Sequence, residues 1–192
     1  METGGNKAER LSRLLSFVLR HKPHEFEIEL NEHGFVGLED FVKAVSAKQS
    51  SWRDLTVEDI LDAVETSERP RFEIAGDMVR ARYGHSIEVD LGYEPAAPPE
   101  HLYHGGRGDR ADEIISDGLR PLSRSYVHLS KDLDTAREVG RRRDYQPAIF
   151  RIRAAEAAKA GCAFFEATSE VWLTKEVPAD FLDPVPAEGA AS

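Results

Sequence analysis

The chain has 192 residues, 41% of them apolar, and a formal net charge of −10, enough for one large domain or two small ones. No apolar run approaches the ~18 residues of a membrane span. Cys162 stands alone, which excludes a disulfide framework and a cysteine zinc site. The opening METGGNKAER lacks the apolar segment of a secretory signal, so a cytoplasmic location is expected.

The first predicted element is the helix in LSRLLSFVLRHKP. Leu11, Leu14, Leu15 and Val18 fall on one apolar stripe, with Ser12, Arg13 and Ser16 opposite. Pro23 ends it by disfavouring the α region at Lys22. The last turn therefore delivers Arg20 and His21 side by side, where the helix dipole favours cations. Phe26 to Leu30 alternates as a short strand should, and Asn31 to Gly34 reads as a turn. Leu38 to Val45 returns to helical spacing. Thr56 is positioned to cap a helix over 57–65, with Asp59 in the capping-box position. Arg71 to Tyr83 predicts a hairpin turning at Gly76-Asp77. Its register sets Phe72 opposite Ala81, Ile74 opposite Val79 and Glu73 opposite Arg80. It also sets Arg71 opposite Arg82, a pairing of like charges that asks for a nearby anion. Three helices followed by a hairpin is the order of a winged-helix domain.

Glu94 to Glu100 holds three prolines in seven residues and reads as a semi-rigid linker. Short strands and helices then alternate. His101 to His104 is a strand leading into Gly105-Gly106-Arg107-Gly108, and Asp109 or Arg110 to Asp117 is a helix closed by Gly118. Val127 to Leu129 is a strand and 132–142 a helix. Ala148 to Arg153 is a strand, and the alanine-rich 154–160 a helix stopping at Gly161. Strands near Phe164-Phe165 and over Val171 to Thr174 complete the set, and the tail after Asp183 is expected to be disordered.

The glycines do not fit the GxGxxG spacing of a Rossmann loop, yet they permit close backbone approach to a planar or phosphorylated ligand. His101 and His104 lie in a strand without carboxylate or thiolate partners, which argues against a metal site. Arg141-Arg142-Arg143 is a visible cationic cluster in an otherwise acidic chain, and a run that short is commonly a solvated face.

Five segments in order resemble the RNA 2′-phosphotransferase family, the tRNA-splicing phosphotransferases also found in bacteria. They are LSRLLSFVLRHKP with its terminal Arg-His; Pro70 to Ile74; Arg80-Ala81-Arg82-Tyr83-Gly84-His85-Ser86, similar to RAxQGHS; Tyr103-His104-Gly105-Gly106, similar to an HGT segment; and Ser123-Arg124 through Val127-His128-Leu129-Ser130, similar to SRxHVHLS. They run from about residue 10 to 183. Gly106 stands where the family has Thr, Arg82-Tyr83 where it has Asn-Gln, and Tyr126 where it has His. The lost threonine hydroxyl bears on NAD affinity.

The resemblance implies an α+β protein with a winged-helix, RNA-phosphate-binding lobe over 1–93, the linker 94–100, and an ADP-ribosyltransferase-like, mixed α/β, NAD-binding lobe over 101–183 with the active site between the lobes. A disordered tail occupies 184–192. It implies Arg20, His21, Arg71 and Arg124 as catalytic residues, with His104, Gly105, Gly106 and Ser130 holding NAD as co-substrate and no metal. The partners implied are an RNA with an internal 2′-phosphate and NAD, with no membrane and no protein partner. In the implied reaction the 2′-phosphate attacks the nicotinamide ribose and expels nicotinamide. The ribose 2″-OH then takes the phosphate, leaving 2′-OH RNA and ADP-ribose 1″,2″-cyclic phosphate. Arginine suits this chemistry through its fixed fork of donors, and His21 is a natural proton handler. Two other readings stand beside it. One is a winged-helix DNA-binding regulator, which the acidic charge disfavours. The other is a transferase that ADP-ribosylates a nucleic-acid terminal phosphate or a protein, for which Glu166 and Glu170 offer carboxylates.

Overall fold

The computed structural model describes residues 4–186 and divides into two compact units, Met1–Gly92 and Tyr93–Ser192. In the first unit, helix α1 (Gly4–Arg20) is joined by α2 (Leu38–Lys48) and α3 (Val57–Glu65). The strands β1 (Val36–Gly37), β2 (Phe72–Ala75) and β3 (Met78–Ala81) form an antiparallel sheet in the order β1-β3-β2. The stripe of α1 is buried as its spacing predicts, joining Phe41, Val45, Ile60, Phe72 and Val79 in one core. At the end of α1 the N–H groups of His21 and Lys22 both donate to Phe17 O, and Pro23 opens a 3-10 turn. Thr56 closes a reciprocal capping box on α3 with Asp59, a device worth about 1 kcal/mol. The hairpin has the predicted register at all three pairs.

Two expectations for this unit are corrected. Phe26 to Leu30 is not a strand: Pro23–Phe26 forms the 3-10 turn and Glu27 takes a left-handed conformation. Its alternation arises because Phe26 and Ile28 both dip into the core as the chain passes over it. Ser12 is buried rather than solvent-facing, its hydroxyl accepting from Arg71 Nη1 at 3.4 Å. Beside the Arg71–Arg82 pairing the Glu73 carboxylate lies 3.9 Å from Arg82 Nη1.

In the second unit, β4 (Leu102–Gly106), β5 (Val127–Ser130), β6 (Ala148–Ile152), β7 (Phe164–Glu166), β8 (Val171–Thr174) and β9 (Leu182–Val185) make one sheet in the order β7-β8-β5-β4-β6-β9, every pair antiparallel. Helices α4 (Ala111–Asp117), α5 (Leu133–Arg141) and α6 (Ala154–Lys159) complete it. Phe150, Ile152, Phe164, Leu129 and Leu102 fill its core. Asp132 caps α5, accepting from Thr135 N at 2.7 Å. The molecule is α+β, and no helix among the described residues is long and apolar enough to cross a membrane.

Two boundaries differ from expectation. Strand β4 continues through Gly105 and Gly106, which pair with Ile149 and Ala148. The expected tail begins inside β9, where Pro184 pairs with Phe150. Proline is tolerated there because β9 is an edge strand. Residues 187–192 of that expected tail lie outside the described residues.

Candidate functional site

In the first unit the predicted residues Arg20 and His21 are held by one short segment, 83–86, following β3. The Tyr83 ring lies 5.0 Å from the Arg20 guanidinium, and the Phe72 ring 5.9 Å from it, so the cation rests between aromatic surfaces. Gly84 has φ +93, and a Cβ there would sit 3.2–3.4 Å from the Arg20 side chain. Glycine is thus required both by its backbone and by the close approach. Ser86 N donates to Arg20 O at 3.0 Å, and Ser86 Oγ lies 2.8 Å from His21 Nδ1. A hydroxyl can donate to a neutral imidazole nitrogen or accept from a protonated one. This bond therefore survives a change in the charge of His21.

Beneath them His85 is buried, and neither ring nitrogen meets a hydrogen-bond partner among the described residues. Burial, reinforced by the charges of Arg20, His21 and Arg80, lowers its pKa to about 4. It is therefore neutral at physiological pH, and adds no repulsion to the cations around it. Arg80 has a different duty. It is buried, with Nε and Nη2 on Glu73 at 2.9 and 2.8 Å. Its Nη1 donates to His33 O and Leu91 O, and the Phe35 ring lies 4.5 Å away. It ties β3 to two loops. Arg71, half-buried, is steered by Ser12 on α1.

In the second unit, His104 sits on β4 with Nδ1 donating to His128 O at 3.0 Å. A carbonyl can only accept, so Nδ1 carries the proton and Nε2 is left as an acceptor. Desolvation and the charges of Arg143 and Arg124 hold its pKa below the ordinary value, outweighing the bond to His128, so the ring stays neutral. Arg124 Nη1 approaches His128 Nδ1 at 3.4 Å. Ser130, buried at the end of β5, pairs with Tyr103 beside His104.

The glycines divide by role. A Cβ on Gly105 would lie 2.0 Å from Ala136 O of α5, and one on Gly108 would lie 2.3 Å from Gln146 O. At these two positions the space a side chain would need is filled by the protein's own backbone, so glycine lets the segments pack this closely. Gly106 is different: its φ is not positive, and the nearest atoms a Cβ would meet are side-chain ones, His104 Nε2 at 3.3 Å, then His104 Cδ2 and Ile114 Cδ1. His104 and Gly106 suit a ribose, because a neutral acceptor nitrogen beside a glycine can take a sugar hydroxyl. Glu166 and Glu170 are both exposed.

Tyr83, His85, Ser86 and His128 carry no role in the sequence-based expectation, although the motifs around them are visible. The usable signal is the polar triplet Gly84-His85-Ser86 directly after a strand end. That Ser86 meets His21 across 65 positions is fixed only by the fold.

Comparison with known proteins agrees along nearly the whole chain. Residues 6–176 match the model of the family described as RNA 2′-phosphotransferase, Tpt1/KptA family. A protein of Bacillus thuringiensis subsp. konkukian is 40% identical over 172 residues, covering 90% of this chain and 92% of its own. One from Rhizobium rhizogenes is 41% identical over 175 residues, 91% and 92% of the two chains. One from Pectobacterium carotovorum is 42% identical over 179 residues, 92% and 94%. Each of the three is named "Probable RNA 2′-phosphotransferase".

Proposed function

The chain belongs to the RNA 2′-phosphotransferase family, and from that premise we propose that it removes an internal 2′-phosphate from RNA by transferring it to NAD⁺. The observation that carries this reading is the Arg20–His21 pair, a permanent cation and a titratable imidazole both fixed by residues 83–86. Moving a phosphoryl group is chiefly a matter of positioning and of stabilising charge on its oxygens. Arg20, Arg71 and Arg124 supply the charge and His21 handles the proton. When bound, NAD⁺ supplies an electrophilic ribose carbon with nicotinamide as leaving group, then a ribose hydroxyl that takes the phosphate as ADP-ribose 1″,2″-cyclic phosphate. His104 Nε2 accepts from a ribose hydroxyl, with Gly106 and Ser130 beside it. Gly105 stands with them in the NAD-holding segment, and its missing side chain also lets α5 pack against β4.

In this reading the first unit is a winged-helix lobe and the second an ADP-ribosyltransferase-like lobe, acting in the cytoplasm without a metal. The test is incubation of the protein with a 2′-phosphorylated oligonucleotide, with and without NAD⁺ and with and without a chelator. Formation of 2′-OH RNA only when NAD⁺ is present, and unaffected by the chelator, is expected. Dephosphorylation that persists without NAD⁺, or stops with the chelator, overturns the reading.

A further inference from the structure

The arginine run left over from the sequence begins at the last residue of α5 and continues into the turn after it. Gly140 O accepts from both Arg143 N and Asp144 N. The Asp144 carboxylate then accepts from Gln146 N at 3.1 Å and from Gly108 N at 2.8 Å. These bonds also keep its pKa low, so the pin stays ionised. The backbone is thus fixed immediately before and after Tyr145, against the glycine segment that follows β4. Yet Tyr145 itself is 94% exposed. Beside it are three consecutive arginines, all exposed. Arg142 has a 3.6 Å ion pair with Glu138, and the Arg143 charge is felt at His104.

We propose that the segment Arg141–Gln146 is an RNA-contact surface, with Tyr145 stacking on a nucleobase of the bound strand and Arg142 and Arg143 meeting backbone phosphates beside that base. The proposal rests on the reading of the protein as acting on RNA. An aromatic ring on a pinned backbone loses little freedom when a base stacks on it, and every base offers a π face. Adjacent arginines then supply the charge that a polyanion needs, in a chain that is elsewhere acidic. The adenine of NAD⁺ is disfavoured as the partner, because cofactor rings are enclosed in concave sites and Tyr145 stands open.

The test measures binding of a fluorescent single-stranded oligonucleotide bearing one internal 2′-phosphate to the full chain, without NAD⁺, by anisotropy at several salt concentrations. Tyr145→Ala is expected to weaken binding about 5- to 100-fold, with Tyr145→Phe within twofold of the unsubstituted protein. Arg143→Gln is expected to lower the slope of log K against log salt by about 0.7, the value for one single-strand phosphate contact. The exposure of both side chains leaves the unfolding temperature unchanged. An RNA affinity unaltered in Tyr145→Ala overturns the proposal, as does a loss confined to KM for NAD⁺, which would place the ring on the adenine. A protein that binds the oligonucleotide through this turn but releases no phosphate with NAD⁺ overturns the proposed reaction and leaves the RNA surface standing.

Discussion

The two units fix their candidate residues by different means. In the first, side chains and one tight turn hold Arg20 and His21: an aromatic ring, a hydroxyl and a glycine, all within 83–86. In the second, the backbone does it for His104. His104 takes its place from β4's register and its tautomer from a main-chain carbonyl, and α5 sits where Gly105 allows. A side-chain cradle can be altered piece by piece with the fold intact. A backbone cradle changes only when the sheet does.

The largest effect that tests this contrast is expected at Arg80. Arg80→Ala leaves the Glu73 carboxylate to Arg82 at 3.9 Å and takes the donor from two loop carbonyls, and breaking such a largely buried pair costs about 3 kcal/mol. Urea unfolding should show the loss, and a loss below about 1 kcal/mol would mean that the loops do not depend on this side chain. His85 comes next. Its unfolded imidazole protonates near its ordinary value of 6.5, whereas in the folded chain protonation waits until about 4. Between those values the unfolded state holds the extra proton, so stability is full above 6.5 and declines as pH falls toward 4. The decline from pH 7 to pH 5 should be about 2 kcal/mol. His85→Asn should remove that part of the slope, whatever it does to stability at pH 7.

Gly105→Ala is the counterpart in the second unit. Its Cβ collides with a helix carbonyl rather than a movable side chain, and overpacking of this kind costs about 1–3 kcal/mol. Thermal unfolding should drop measurably; an unchanged midpoint would show that α5 can slide. Smaller still is Ser86→Ala. The serine is exposed, so stability should change by less than about 1 kcal/mol. The pH–rate profile should nevertheless shift, because His21 loses the partner that accompanies both its charge states. A profile superimposable on that of the unsubstituted protein would remove Ser86 from the site. The smallest expected effect is Gly106→Thr. Its backbone accepts a side chain, and His104 must yield only a few tenths of an ångström. One added neutral hydrogen bond should tighten NAD⁺ binding by up to about tenfold. Weaker binding would show that the His104 ring cannot move.

The same contrast explains what the sequence could show. Local rules sufficed for the α1 stripe, the Thr56–Asp59 box and the hairpin register, because each involves neighbours along the chain. They failed where a distant partner decides. Ser12 looks like a solvent-facing residue until Arg71 arrives from 59 positions away. Gly105 and Gly106 look like a loop because glycine weakens strands, and only α5 packing against β4 explains glycine inside one. The candidate residues were legible as motifs: Arg20, His21, Arg71, Arg124 and His104 all stand out. Their supports did not, since Ser86 and His128 act through contacts that no local spacing encodes.

The proline-rich stretch 94–100, which looked like a linker, has a further consequence. It has no regular structure, but Ala96 N donates to Phe164 O at 2.8 Å, on the outermost strand β7, and Ala96 packs against the second core. The opposite border of the sheet, β9, carries Pro184. Open sheet borders are templates on which another chain can add a strand, and proline, lacking an N–H, interrupts that template. Both borders of this sheet are therefore blunted against self-templated aggregation, one by a covering segment and one from within. Removing residues 93–100 would expose β7 and turn a harmless border into an adhesive one.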